Sequence, residues 1–315
     1  MNNINILTFL MIISTFVFVI GLFGIFLALM STIIWFLSDL FNSTSYSHLI
    51  IPYWNSLIML GIFIVFVTLL SALKDAFERE NIMALNIQKS LLPQKTPKIS
   101  GFRIFPIWQP TRVVSGDYYD FVNFTNNKFG ISLADVCGHG FPAALLMSNV
   151  QATFRIIAFH DYTPKEVCNK LNKIMVDYRM PEKFTSFFYG ILDSEKREFT
   201  YSNAGHPPPI ILRSNGEIDH LSTGGLLLGV DPNAIYQESI VKLENGDVIL
   251  LYTDGIVETR NDFYEEFGEN RLIDFCKKNI HLSENNFGKN ILTTIDKFSK
   301  GNIDDDITMV VILVD

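Results

Sequence analysis

The architecture of this chain is readable outward from one segment, Phe129-Gly130-Ile131-Ser132-Leu133-Ala134-Asp135-Val136-Cys137-Gly138-His139-Gly140. Its first half is apolar and short, which is typical of a β-strand. Asp135 ends this strand, and Gly138 and Gly140 allow the backbone to approach a ligand closely. A helix-compatible stretch begins at Pro142. This order predicts a functional edge of a sheet, although an Asp that only caps the turn would fit it as well.

Three further acidic segments lie beside glycines or strand-like runs. They are Ser115-Gly116-Asp117-Tyr118-Tyr119-Asp120, Tyr252-Thr253-Asp254-Gly255 and Asp304-Asp305-Asp306-Ile307-Thr308. Carboxylates at strand ends can converge on hard divalent cations, and two such ions can clamp a phosphate and activate water. The pattern therefore predicts metal-assisted hydrolysis. Solvation at a surface tip remains the alternative for the last segment.

The strand and helix signals of the region after residue 98 predict an α+β fold. Short apolar or β-branched segments indicate strands over residues 102–108, 128–134, 187–192, 199–202, 210–213, 240–243, 248–252 and 309–314. Helices are predicted over residues 142–159, 164–178 and 269–278, and within 286–297. Strands, then paired helices, then strands again favour an antiparallel two-sheet β-sandwich flanked by helices over a parallel doubly wound sheet.

Charge density divides the chain near residue 73, because Asp39 is the only charged side chain before Lys74. Residues 7–37 and 49–73 are apolar runs long enough to cross a bilayer. Basic residues follow the second run but are missing between the two, which places both termini and the catalytic domain in the cytoplasm. We therefore expect a transmembrane helical hairpin over residues 1–73, a multi-pass anchor in the cytoplasmic membrane. A cleaved signal peptide is the less favoured alternative.

A helical linker is predicted over residues 74–93, followed by a catalytic domain over residues 98–315. From the end of the second apolar run through the linker, apolar residues recur at three- and four-residue steps. They are Leu70, Leu73, Phe77, Ala84, Ile87 and Leu91. Such a stripe either pairs with itself in a homodimer or packs on the following domain. The linker is therefore a candidate dimerisation or switch helix.

Composition excludes several other functions. The formal net charge of −8 argues against a nucleic-acid partner. Cys137, Cys168 and Cys276 form no metal-type pair, and none is followed by the Arg that the phosphate loop of cysteine phosphatases requires. Residues 304–308 match the nucleophile motif of aspartate-dependent phosphatases, but those enzymes need it after an early strand of a parallel fold. Here only the closing strand follows.

Six short motifs follow one another between residues 82 and 314. They are Ile87-Gln88-Lys89-Ser90-Leu91-Leu92-Pro93, Gly116-Asp117-Tyr118-Tyr119-Asp120, Ala134-Asp135-Val136-Cys137-Gly138-His139-Gly140, Asn203-Ala204-Gly205-His206-Pro207-Pro208, Thr253-Asp254-Gly255-Ile256-Val257-Glu258 and Asp305-Asp306-Ile307-Thr308. In this order they resemble the SpoIIE/RsbU-like bacterial branch of the PP2C-type metal-dependent serine/threonine phosphatases. The resemblance implies a PP2C-like sandwich and a protein phosphatase.

The resemblance also implies roles for the matching residues. Asp135 would bridge two Mn²⁺ or Mg²⁺ ions, one of which the Val136 carbonyl would join. Asp254 and Asp305 would hold the other ion, and Asp117 would act on the metals directly or through water. The implied supporting residues are Asp120, Gly138, His139, Gly140 and Asp306.

Three other side chains have open roles. Arg112 could contact the substrate phosphate through its planar guanidinium, or be a solvated residue before a strand. His139 could protonate the leaving serine oxygen, or only position its turn. His206, which prolines follow, is interpreted as structural rather than catalytic.

The implied reaction is in-line attack of a metal-activated water on phosphorus, without a covalent enzyme intermediate. By the same resemblance, the substrate is expected to be a phosphorylated anti-sigma-factor antagonist of the STAS type. The alternative is a catalytically silent membrane scaffold that binds a signalling partner through the same fold. Retention of Asp135, Asp254 and Asp305 argues against a scaffold, which has no need of converging carboxylates.

Overall fold

The computed structural model describes residue 33 and residues 47–125, 127–160, 163–177 and 184–315. Apart from residue 33, the first predicted membrane span lies outside the described residues. The chain divides into two compact units, Met1–Glu80 and Asn81–Asp315. The second unit thus begins before the predicted boundary at residue 98, and it includes the last turns of the linker helix.

The first described element is a continuous helix, α1 (Ser47–Leu91), which covers the second predicted span and the linker. Its stretch Leu60–Leu91 is long and apolar enough to cross a membrane, and none of its most apolar window is buried. Within the described ranges it is the single helix with these properties. A hairpin of two spans is not shown.

Two sheets form the body of the second unit. The first has the order β1-β11-β10-β6-β7 and is antiparallel throughout. The second has the order β2-β3-β4-β5-β8, with β9 also paired to β5, and only the β5–β8 pairing is parallel. The strands are β1 (Phe102–Gln109), β2 (Tyr118–Thr125), β3 (Lys128–Val136), β4 (Thr185–Asp193), β5 (Glu198–Ala204), β6 (Ile210–Leu212), β7 (Ile218–His220), β8 (Gly224–Gly225), β9 (Ser239–Lys242), β10 (Val248–Tyr252) and β11 (Ile307–Val314).

Helices flank both sheets, so the predicted α+β sandwich is confirmed. They are α2 (Phe141–Ala158), α3 (Pro164–Asp177), α4 (Asp254–Val257), α5 (Gly268–Asn279) and α6 (Glu284–Ser299). One apolar cluster joins the second sheet, α2 and α3 to one face of the first sheet, and another packs α5 and α6 on its opposite face. β11 is buried at every position because Val310 and Ile312 face the first cluster while Met309 and Val311 face the second.

Strand ends place the acidic segments together. β3 ends one residue after Asp135, β10 leads directly into Asp254 at the start of α4, and Asp305 comes just before β11. β2, which begins directly after Asp117, was not among the predicted strands. The short elements β7, β8 and α4 were also not predicted.

Candidate active site

Asp117 and Asp135 come together because β2 and β3 are paired. Tyr118 lies opposite Ala134 in this antiparallel ladder, so the residues just outside that pair are neighbours. Each of the two carboxyl groups affects the pKa of the other. Burial, followed by the charge of Asp135, raises the pKa of Asp117 well above its usual range. One proton is therefore readily shared between these two carboxylates.

Thr253 orders this pair, and it is a residue that sequence reasoning missed. Its hydroxyl donates a hydrogen bond to Oδ2 of Asp117 at 2.7 Å and accepts one from the backbone N–H of Thr308 at 3.1 Å. Thr253 is fully buried. It therefore ties the ends of β10 and β11 to the start of β2. The only available signal was a hydroxyl directly before Asp254.

Asp254 and Asp305 complete the cluster. Burial raises the pKa of Asp135 to about 7, and the charges of Asp254 and Asp305 add to this effect. Burial likewise raises the pKa of Asp254, assisted by the charge of Glu258. The pKa of Asp305 is raised by burial and by neighbouring carboxylates, including Asp254. The structure thus brings together the four predicted carboxylates Asp117, Asp135, Asp254 and Asp305.

Asp306 supports a loop, and its charge also acts to raise the pKa of Asp117 and Asp135. Its Oδ1 accepts a hydrogen bond from the backbone N–H of Thr111 at 2.7 Å, and its Oδ2 accepts one from Gly116 at 2.9 Å. Both ends of the loop that leads to Asp117 are therefore fixed. Arg112 is exposed on this same loop. The secondary role of Asp306 at the metals stays a prediction.

The Gly-His-Gly turn follows β3. Gly138 and Gly140 have φ angles of 93° and 73°, which favour glycine. The Val136 carbonyl faces Gly116, where an added Cβ would lie 3.0 Å from its oxygen. His139 is exposed, and its charge acts to lower the pKa of Asp305 against the larger effect of burial. The end of β3 therefore places a backbone carbonyl against Gly116, and the turn exposes an imidazole whose charge reaches Asp305.

Asp120 is not part of the cluster. It lies an odd number of residues beyond Asp117 along the strand direction, so its side chain points to the opposite face. Its fully buried carboxylate pairs with Arg155 of α2, with Nε to Oδ2 at 2.6 Å and Nη2 to Oδ1 at 2.9 Å. Its described contacts tie α2 to β2. They give no support to its predicted role near the metals.

A cleft of about 380 Å³ opens beside Asp135 and Asp254. Its apolar wall comes from Phe184, Pro207, Pro208 and Leu227, and Glu258 stands on its rim. His206 also lines the cleft, and its Nδ1 lies 2.7 Å from the Ser186 hydroxyl oxygen. Burial lowers the pKa of His206 to about 3, so its ring is neutral at physiological pH. This favours the structural interpretation of His206.

The cluster fits divalent cations in donor chemistry rather than in preformed geometry. Among the described residues, no three His, Cys, Asp or Glu side chains converge on a point that could hold a metal ion. Burial, assisted by the charge of at least one nearby carboxylate, nonetheless raises the pKa of each of the four carboxyl groups. Hard oxygen donors with this excess of negative charge suit Mg²⁺ or Mn²⁺.

Comparison with known proteins identifies the family. The profile of the SpoIIE family, stage II sporulation protein E, matches residues 125–315. The chain belongs to the SpoIIE family. It is 31% identical over 246 residues to the phosphoserine phosphatase RsbU of Bacillus subtilis, a match that covers 77% of this chain and 72% of RsbU. The chain is thus a PP2C-type serine/threonine protein phosphatase.

Solved structures share the fold. The PP2C domain of SiaA from Pseudomonas aeruginosa matches with a TM-score of 0.69 at 21% identity, covering 78% of this chain and 99% of that domain. The RsbU and RsbW domains of a Mycobacterium tuberculosis protein match with a TM-score of 0.60 at 23% identity, covering 69% of this chain and 61% of that one. These matches confirm the PP2C-like two-sheet fold.

Cys137 and Ser186 lie beside the cluster. The Cys137 Sγ accepts a hydrogen bond from the Phe184 backbone N–H at 3.3 Å. Ser186 lies opposite Asp135 in the β3–β4 ladder.

We expect the metal-free protein to lose stability as pH rises from about 4 to about 7. The pKa of Asp135 is about 7 in the folded chain, against an ordinary value of 3.8. The folded state therefore binds more protons than the unfolded state within this window. This stabilising contribution is complete below the ordinary value and is lost as pH rises through the folded value.

Thermal unfolding of the full chain in detergent, measured in EDTA across this pH range, would check the prediction. Mn²⁺ should raise the midpoint most at the upper end of the range, because protons no longer compete for the carboxylates there. A midpoint in EDTA that stayed flat or rose over the whole window would contradict it.

Proposed function

We propose that this SpoIIE-family phosphatase hydrolyses phosphoserine or phosphothreonine in a partner protein with two bound Mn²⁺ or Mg²⁺ ions. The observation that carries the proposal is the proximity of the carboxyl groups of Asp117, Asp135, Asp254 and Asp305, each of which has a raised pKa. When bound, such ions acidify a shared water and offset charge on the transferring phosphoryl group.

The protein's own residues hold and orient this site. Asp135 would hold both ions. The Val136 carbonyl would join one of them, and Asp254 and Asp305 would hold the other. Thr253 fixes the orientation of Asp117 through its hydrogen bond to Oδ2. Arg112 would meet the substrate phosphate from the loop that Asp306 secures. A bidentate guanidinium contact would orient that phosphate for in-line attack.

We infer that the substrate is a phosphorylated anti-sigma-factor antagonist of the STAS type. The support is kinship, because RsbU is named a phosphoserine phosphatase and the Mycobacterium tuberculosis protein contains RsbU and RsbW domains. The cleft beside Asp135 and Asp254 is open enough to receive a chain segment that carries the phosphoserine. These features favour a protein substrate in a partner-switching pathway.

We further propose that residues 1–73 anchor the phosphatase in the cytoplasmic membrane through two spans, about 7–37 and 49–73. Both termini and the domain over residues 98–315 would then lie in the cytoplasm. The exposed apolar helix over Leu60–Leu91 supports the second span. The first span rests on the length of its apolar run in the sequence.

The linker, residues 74–93, is proposed to act as a switch and as a dimer contact. Within the linker, Phe77 and Ile87 are 63% and 58% exposed, so this apolar stripe is available to a second copy. Gln88 is buried instead, at 3% exposure. Its side chain accepts a hydrogen bond from the Ser115 N–H at 2.9 Å and donates one to the Ser115 carbonyl at 2.6 Å. Movement of the linker would therefore reach the segment that leads to Asp117.

Replacing Gln88 by Leu should reduce phosphatase activity about tenfold, because the buried N–H and C=O of Ser115 would lose their partners at a cost of about 1.4 kcal/mol. Gln94→Leu is the matched control, because the Gln94 amide bonds only to carbonyls of the linker itself. Phosphate release by each variant of the full chain would be compared with the wild type. Equal activity of all three would remove the proposed link between linker and site.

The proposed function is tested by phosphate release from a phosphoserine STAS-domain protein by the full chain in detergent. We expect release that requires Mn²⁺ or Mg²⁺ and stops in EDTA. Metal binding without release from this protein or from p-nitrophenyl phosphate would instead favour the silent scaffold. Release from p-nitrophenyl phosphate alone would show an active phosphatase with a different protein substrate.

A further inference from the structure

Two large aromatic side chains on one loop are exposed to solvent. Phe263 is 82% exposed and Tyr264 is 81% exposed, the highest values among the large exposed hydrophobic side chains of the described residues. They lie at the tip of residues 260–266, which we call the aromatic loop. Neither contributes to the folded core, so their exposure gives no stability to this chain.

The aromatic loop is held in one conformation. The Asn261 side-chain oxygen accepts hydrogen bonds from the backbone N–H groups of Phe263 and Glu265, at 2.9 and 3.0 Å. At the base of the loop, Arg260 pairs with Glu266 at 2.8 Å. An ordered loop of this kind presents its tip at a low entropic cost of binding.

One of the two exposed aromatic residues has a strained backbone conformation. Tyr264 has a φ of 61°, a left-handed conformation that glycine adopts freely and that a bulky side chain adopts at a cost. A glycine at this position would stabilise the loop. The chain instead keeps an exposed tyrosine there, and strain at such positions clusters at functional sites. The tyrosine is therefore better explained by a contact outside this chain than by folding.

The aromatic loop is attached directly to the active site. The Thr259 hydroxyl donates a hydrogen bond to the Gly255 carbonyl at 2.5 Å, within the turn that carries Asp254. The raised pKa of Arg260 comes first from Glu266, and the charges of Glu258 and Asp304 add to it. Glu258 is also on the rim of the cleft. The loop thus begins two residues after Glu258, which lines the cleft.

The charges on the loop favour a protein over a membrane as the partner. Asp262, Glu265 and Glu266 outnumber Arg260, so an anionic lipid surface would repel the loop. Exposed Phe and Tyr side chains are instead frequent anchors of protein interfaces. We propose that the aromatic loop docks the folded body of the phosphoserine protein substrate while its phosphate reaches Asp135 and Asp254. This inference rests on the proposed function.

The experiment compares two substrates on the full chain in detergent. One is a phosphoserine STAS-domain protein, and the other is p-nitrophenyl phosphate, which has no protein surface. The test variant combines Phe263→Ser with Tyr264→Gly. Its control is Phe159→Ala, which removes an aromatic ring that is 73% exposed at the end of α2. A Tyr264→Gly single variant checks folding, because its thermal midpoint should rise.

We expect the double variant to lower kcat/KM for the phosphoprotein about 10- to 30-fold, mainly through KM, with p-nitrophenyl phosphate hydrolysis unchanged. Phe159→Ala should match the wild type on both substrates. An equal loss on both substrates would assign the loop to support of the Asp254 turn and overturn docking. No loss on either substrate would also overturn it, while the proposed function would stand.

Failure of the proposed STAS-type substrate gives a different result. The wild-type protein would then hydrolyse p-nitrophenyl phosphate and leave the phosphorylated STAS-domain protein intact. In that case the docking inference would be wrong together with the substrate on which it rests.

Discussion

Replacing Asp135 by Asn should lower metal-dependent phosphate release about 10³-fold or more, the largest loss expected of any single side chain here. Asp135 is the carboxylate on which the charges of both Asp254 and Asp305 act. Because Asp135 is proposed to hold both ions, replacing its carboxylate by an amide would weaken the binding of both. A loss of about 4 kcal/mol of transition-state stabilisation corresponds to about 10³-fold in rate.

The same substitution should raise the thermal midpoint of the metal-free protein. An amide removes one of the two carboxyl groups that share a proton, and with it a source of repulsion for Asp254 and Asp305. Activity and apo stability would then change in opposite directions. A variant that merely failed to fold would lose both, so the pair of measurements separates loss of chemistry from loss of structure.

Asp304→Asn is the matched control, because Asp304 is an exposed carboxylate in the same acidic segment but is not among the clustered groups. Phosphate release from p-nitrophenyl phosphate and from the phosphoserine protein would be measured for both variants of the full chain at saturating Mn²⁺. Asp304→Asn should stay within about twofold of the wild type, as is usual for a surface change. An Asp135→Asn protein that kept a tenth of the activity would contradict the bridging role.

The sequence allowed prediction of those elements whose local signals agree with their tertiary setting. β3, its glycine turn and α2 were predictable because a short apolar run, two glycines and a proline follow in order. β11 was predictable because every residue from Ile307 to Val314 is buried by helices on one face and a sheet on the other. The positions of Asp135 at the end of β3 and of Asp305 before β11 follow from these two strands.

β2 and the place of Asp120 could not be predicted in the same way. β2 carries Asp120 and Asn123 among aromatic residues, so its segment reads as an acidic motif rather than as a strand. Without the strand, the sequence gives no sign that Asp120 and Asp117 point to opposite faces. The ion-pair partner of Asp120 is Arg155 on α2, and no local sequence pattern encodes this tertiary contact.

The linker shows a similar limit. Its apolar periodicity drew attention to Ile87, which is exposed, while the polar Gln88 beside it is the residue that enters the domain. A stripe of apolar residues predicts the contacts of only one face of a helix. The contact on the other face depends on a backbone N–H and C=O of Ser115, which the sequence cannot display.

Gly255→Ala should be the most damaging change that adds a single methyl group to this site. A Cβ at this position would lie 2.0 Å from the Asp306 carbonyl oxygen, so the backbone itself must move. The two segments that would separate carry Asp254 and Asp305. We expect a loss of about 1–3 kcal/mol or more in the free energy of unfolding. Displacing catalytic groups by about 1 Å should cost about 10²-fold in activity.

Gly288→Ala provides the control, because the nearest atom to its added Cβ is Cγ1 of Ile107 at an ordinary 3.6 Å. Gly288 lies within α6, where alanine should stabilise the helix by about 1 kcal/mol. Thermal unfolding, Mn²⁺ affinity and phosphate release of both variants would be measured on the full chain in detergent. Because the two acidic segments approach closely at Gly255 but not at Gly288, we expect Gly255→Ala to lose stability and activity and Gly288→Ala to keep both. If Gly255→Ala kept wild-type Mn²⁺ affinity and activity, the two segments would not need to touch for catalysis, and the proposed sharing of ions between Asp135, Asp254 and Asp305 would fail.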